Sequence, residues 1–178
     1  MGRSFPLAPG SAPRYPIETE ALDPAECVLL ISMRCWVADI HQGADPLLRL
    51  RPGLAAAGAP DAALSLDALM RVLARTARRP IAIGCPRCPG LSADERRLLH
   101  AASLAQAGAP GRAEAALRAD GMLSAPGADS AGPLGGLGAL LAGAGLALRR
   151  RAPPDATAAP APREVEPWTP PLPAATVH

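Results

Sequence analysis

From Cys27 to Met33 the chain is apolar save for Ser32, so a helix here would seek burial around most of its circumference. Its start is well marked. Asp23 suits the cap, Pro24 the first helical position, and Glu26 completes a capping box. The helix is expected to run to Gln42, stop at Gly43 and form the centre of the fold, with Trp36 on it. Asp45-Pro46 repeats the starting signature and opens a second helix, Leu47 to about Ala57, which Pro52 is expected to kink or split. Ser65 to Arg79 is amphipathic: Leu66, Leu69, Met70, Leu73 and Ala77 share one face, while Arg71, Arg75 and Arg79 fall four apart on another. Asp67 is placed to pair with Arg71.

Ile81 and Ile83 alternate with Ala82 in a short extended segment. Ser92-Ala93-Asp94-Glu95 is a second capping box and opens a helix to about Ala107. Its buried side is expected to be Leu98, Ala101, Ala102 and Ala105, with His100 off that side. Gly108-Ala109-Pro110 turns the chain into a short helix, Arg112 to Asp120. Residues 54–60 and 104–110 echo each other, but in so Ala-rich a chain this reads as coincidence. Pro133 to Leu148 is uncharged, carries a seam of Leu134, Leu137, Leu141 and Leu148, and is followed by Arg149-Arg150-Arg151. A helix closing the bundle is the expected role. A membrane helix competes, because the triple arginine suits a cytoplasmic flank, but the small residues favour insertion poorly.

Residues 1–21 hold prolines at 6, 9, 13 and 16 without periodicity, and residues 151–178 are rich in Pro and Ala. Both read as disordered arms around a helical domain, residues 22–150. Within the second arm, Trp168-Thr169-Pro170-Pro171-Leu172-Pro173 has the make-up of a docking peptide, an aromatic beside polyproline. The expected fold class is therefore all-α, a small bundle of five or six helices with disordered N- and C-terminal arms.

Composition adds limits. A chain of 178 residues suits one domain with tails, and a net charge of +2 argues against general attraction to nucleic acid. There is no Lys and no Asn, a composition typical of a GC-rich genome, so the abundance of Arg is not by itself a choice of chemistry. The absence of Lys excludes Schiff-base and P-loop mechanisms. Four scattered cysteines do not make a disulfide framework, and the start of the chain has no apolar leader, so a reducing cytoplasm is the expected compartment. No Ser-His-Asp, Cys-His-Asn, paired-carboxylate or Gly-rich phosphate pattern rises above chance.

The chemistry that remains lies in Cys85-Pro86-Arg87-Cys88, which permits three readings. It can be a tight turn with packed cysteines. It can be half of a zinc site, completed from Cys27, Cys35, His41 or His100, with Cys85, Cys88, Cys35 and His41 as the candidate ligand set. It can be a redox dithiol, although Pro89 and Gly90 keep it short of the next helix's dipole. Arg71, Arg75, Arg79 and Arg87 form the candidate partner-binding set, a basic face for an acidic or phosphate-bearing ligand. The expected function is that of a small cytoplasmic accessory or adaptor protein that binds another protein. The alternative is a zinc-binding or thiol-redox protein built on the cysteine turn.

Overall fold

A computed structural model of the chain describes residues 12–119, 121–124 and 130–153, together with the backbone of 167–168. Six helices dominate the described residues: α1 (Pro24–His41), α2 (Leu47–Ala56), α3 (Ala62–Thr76), α4 (Ala93–Gln106), α5 (Pro110–Ala119) and α6 (Ala131–Gly143). Two short strands, β1 (Ile81–Ala82) and β2 (Pro167–Trp168), pair antiparallel. The all-α bundle expected from the pattern is what forms.

Both capping boxes form where the sequence places them, with Glu26 bonded back to the amide of Asp23 and Glu95 to that of Ser92. α1 buries Leu29, Leu30, Met33, Trp36 and Val37, as its nearly all-apolar surface requires. It packs on α2, α3 and α4, while α4 packs on α1, α5, α6 and β1, so the centre is shared rather than held by α1 alone. The expected face of α4 (Leu98, Ala101, Ala102 and Ala105) is buried. α6 can lie against α4 because of Gly138: a Cβ there would stand 2.6 Å from the backbone nitrogen of Gln106. The Gln106 side chain then donates to the carbonyl of Leu146 and accepts from the amide of Leu148, fixing the chain after α6. Leu134, Leu137, Leu141 and Leu148 are all buried. No helix among the described residues is long and apolar enough to cross a membrane.

Three expectations shift. Pro52 does not split α2, which runs unbroken from Leu47 to Ala56. The carbonyl that loses its donor belongs to Leu48, which is 78% exposed, so water can serve it. α3 begins and ends three residues earlier than the pattern indicates, because Ala77 turns extended. The echo at 54–60 and 104–110 is one helix-ending device used twice. Gly58 (φ 82°) and Gly108 (φ 79°) adopt the left-handed conformation. The amides of Ala59 and Ala109 then donate to the carbonyls of Leu54 and Leu104.

The arms also differ from expectation where they are described. Tyr15 is buried, the amide of Thr19 donates to the carbonyl of Pro89, and the amide of Leu91 donates to that of Ile17. At the other end Arg151 is buried, and the amide of Ala152 donates to the carbonyl of Pro13. The remaining residues of both arms, 1–11, 154–166 and 169–178, lie outside the described ones.

Candidate functional site

The cysteine turn is pinned at both ends by apolar burial. Ile81 and Ile83 enter the core before it and Leu91 after it. Between them the backbone is held by one buried ion pair that joins α1 to α4. Arg34 Nε donates to Glu95 Oε1 at 2.7 Å, and Nη2 donates to Oε2 at 3.0 Å. The two side chains are 1% and 0% exposed. The guanidinium spends its other N–H groups on the turn: Nη1 donates to the carbonyl of Cys88 at 2.6 Å, and Nη2 to that of Gly90 at 2.7 Å. Glu95 accepts in addition from the amides of Gly84 and Ser92. A charged pair taken out of water is tolerated only when its remaining donors and lone pairs are satisfied. Here the loop backbone supplies those partners, so the loop's path and the pair's solvation are one arrangement. Gly84 is part of it, since a Cβ there would lie 3.1 Å from Arg34 Nη2.

Asp94, beside Glu95, secures the approach to the turn. It accepts from both terminal nitrogens of Arg79, from the amide of Ala82 and from Arg97. Burial raises the pKa of this carboxyl, but the hydrogen bonds from Arg79 and Ala82 and the two nearby arginines outweigh it and hold the group below its ordinary range. The hydroxyl of Ser92 donates to the carbonyl of Ala82.

On this mounting Cys85 and Cys88 are joined in a disulfide, with Cα atoms 5.2 Å apart. The Cys88 amide donates to the Cys85 carbonyl, closing a turn, and the Cys85 amide points back at Cys88 Sγ at 3.1 Å. Cys85 is exposed and Cys88 half-buried. α4 begins at Ala93, so the pair stands short of the helix N-terminus, as its spacing indicates. Cys88 opens on a shallow pocket of about 240 Å³ lined also by Thr19, Cys27, Ile31, Pro86 and Arg87. Cys27 is a free thiol whose Sγ donates to the carbonyls of Thr19 and Leu22. Burial, with Glu26 and Asp23 nearby, raises its pKa, which keeps it a thiol rather than a thiolate.

The candidate zinc ligands do not converge. Among the described residues no three His, Cys, Asp or Glu side chains come together in a way that could hold a metal ion. Cys85 and Cys88 are spent on each other, Cys35 is a half-buried free thiol, and His41 is exposed at the end of α1. The basic face also divides. Arg71 pairs with Asp67 as expected, and Asp67 accepts from Trp36 Nε1 as well. Arg79 lies beyond the end of α3 and turns to Asp94, while Arg75 and Arg87 are exposed. Arg34 was the residue that pattern reading passed over. Its signal was present: one arginine on a helix with almost no polar side must be buried, and must therefore find a carboxylate.

No family model matches this chain, and neither a curated protein nor a solved structure is found to match it.

Proposed function

We propose that this protein acts through thiol–disulfide exchange at Cys85 and Cys88. The observation that carries the reading is the asymmetry of the two sulfurs. Cys85 is exposed to attack, and Cys88 accepts a hydrogen bond from the Cys85 amide that favours its departure as a thiolate. An incoming thiolate attacks Cys85 Sγ, the bond between the two cysteines breaks, and its electron pair leaves on Cys88. A second thiol of the partner then resolves the mixed disulfide and releases Cys85. Arg34 and Glu95 hold the loop through its backbone and not through its sulfurs, so the exchange is expected to need no rearrangement of the bundle. A cytoplasmic site of action belongs to this proposal, since disulfides there are typically transient, catalytic or sensing.

The test is redox equilibration of the full chain against glutathione, read by mass after acid quenching. The expected potential lies in the range of exchange proteins, roughly −270 to −120 mV. A potential below about −300 mV, the range of structural disulfides, would overturn the reading. A second reading, the adaptor expected from the sequence, is favoured by Ile17 and Ile31, which are 66% and 49% exposed, Ile31 on the pocket beside the turn and Ile17 bonded through its carbonyl to Leu91. Arg75 and Arg87 would then contribute the basic contacts. Retention of a captured partner by a Cys85→Ser/Cys88→Ser protein would favour this second reading.

A further inference from the structure

β1 leads into the disulfide through Ile83 and Gly84 alone, and its backbone groups alternate sides. Ala82 and Gly84 turn inward, where their amides meet Asp94 and Glu95 at the start of α4. The backbone groups of Ile81 turn outward and pair with the backbone of Trp168, with Ala82 opposite Pro167 in the register. The two-residue period of a strand places the N–H and C=O of Ile83 on that same outward side, one step nearer the cysteines. The described ladder ends at Ala82, and an occupant that kept its period would meet the backbone of Ile83 next and then reach Cys85.

We infer that this edge receives an extended, thiol-bearing polypeptide segment as the substrate of the Cys85–Cys88 pair, and that residues 167–168 are an internal occupant competing for it. The inference rests on the thiol–disulfide reading and adds the substrate class and its register. Pairing is antiparallel, so each step along β1 toward the disulfide is one step N-terminal on the bound segment. The residue that reaches Cys85 lies three positions before the one opposite Ala82. A cysteine there brings its thiolate to Cys85 Sγ, and Cys88 leaves as a thiolate toward the Cys85 amide. A second thiol of the substrate then attacks the substrate sulfur of the mixed disulfide. The substrate ends as a disulfide and the protein as a dithiol, with two electrons passed to the protein and the thiol protons exchanged through water. Main-chain pairing supplies the affinity and the position of the cysteine supplies the selectivity, the division of labour in strand addition.

The experiment uses the full chain and synthetic peptides spanning residues 160–171, each with one cysteine. In one peptide the change is Glu164→Cys, three positions before Pro167; in the controls it is Pro162→Cys or Glu166→Cys. The Glu164→Cys peptide is expected to form the mixed disulfide with Cys85 about tenfold faster or more, because pairing raises the local thiol concentration only in that register. A Trp168→Pro chain, which lacks the amide opposite Ile81, is expected to react faster than its parent with that peptide. Rates that ignore cysteine position, or a Trp168→Pro chain no faster than its parent, overturn the inference. Dithiothreitol separates this outcome from failure of the underlying reading. If it reduces the pair readily while peptide register has no effect, only the edge is lost. If it does not reduce the pair, the exchange reading fails and the edge is tested alone, by amide shifts of Ile81 and Ile83 on adding a cysteine-free peptide. Shifts sustain the edge, and their absence removes it.

Discussion

Glu95 and Glu26 each occupy the third position of a capped helix, and each gives one oxygen to the amide of its own cap residue. Each is also gripped by a buried arginine through two nitrogens. Arg34 takes Glu95 at 2.7 and 3.0 Å, and Arg151 takes Glu26 at 2.7 Å through both Nε and Nη2. The difference lies in what carries the arginine. Arg34 stands on a helix at the centre of the bundle, so its spare donors organise a loop, through the carbonyls of Cys88 and Gly90. Arg151 stands on the segment after α6, reaches the carbonyl of Arg14 and lies 5.5 Å over the ring of Tyr15, so it pins that segment to the one before α1. One local device thus does two jobs. A fork whose arginine stands on a packed helix imposes a shape on loop backbone, and a fork whose arginine stands on the segment after α6 imposes only attachment.

That contrast predicts unequal costs. Arg34→Met should be the most damaging change, losing about 3–5 kcal/mol in urea unfolding, because Glu95 and two loop carbonyls stay buried without their partner. Arg34→Lys should rescue little, since an ammonium cannot span both carboxylate oxygens and the carbonyls. Arg151→Ala should lose less, about 2 kcal/mol, because the covering segment can lift and let water reach Glu26. Faster hydrogen exchange at Ala152 should accompany that loss. Equal costs for the two arginines would erase the distinction. Gly84→Ala should come next, at about 1 kcal/mol, as its Cβ presses on a guanidinium that cannot move aside.

The smallest expected effect is on pH dependence, and it belongs to the terminal fork. His100 meets Tyr15 edge to face at 6.2 Å, and Arg151 lies over the same Tyr15 ring. Burial, and then Arg112, push the pKa of His100 below its ordinary value. The unfolded chain therefore takes up this proton first as pH falls below about 6.5, and stability contributed by the neutral ring declines from there. His100→Gln should flatten the slope of unfolding free energy between neutral and mildly acidic pH, with no change in the alkaline limb. An unchanged slope would place the acid sensitivity elsewhere.

Much of this was legible in the chain. Asp23 and Ser92 announce their helices because capping is a local matter of side chain and amide, and Leu98, Ala101 and Ala105 announce a face because helical period is local too. The pairing within the forks was not legible: Arg34 announces that it needs a carboxylate, but nothing near Glu95 in sequence indicates that it will be shared with a residue 61 positions away. The basic stripe divides for a related reason. Arg79 keeps helical spacing from Arg75, but the helix ends at Thr76, and Asp94 offers Arg79 a better position than the surface does. The zinc set does not come together, for reasons that spacing cannot supply: Cys35 and His41 share a helix with Arg34, but it is Arg34 that reaches the turn, and Cys85 and Cys88 are bonded to each other.

The backbone hydrogen bond between Ala152 and Pro13, 2.9 Å long, has a topological consequence. It brings residues 13 and 152 within covalent reach, so the helical bundle between them is nearly a closed ring of polypeptide. In a ring the starting point is arbitrary as far as packing is concerned. A circular permutant that joins residue 152 to residue 13 through a short linker, and opens the chain at the Gly108 turn, should keep every helix and both forks. The Arg151–Glu26 fork, which spans 125 positions in the natural order, would instead close a loop made of the linker and the residues from 13 to 26.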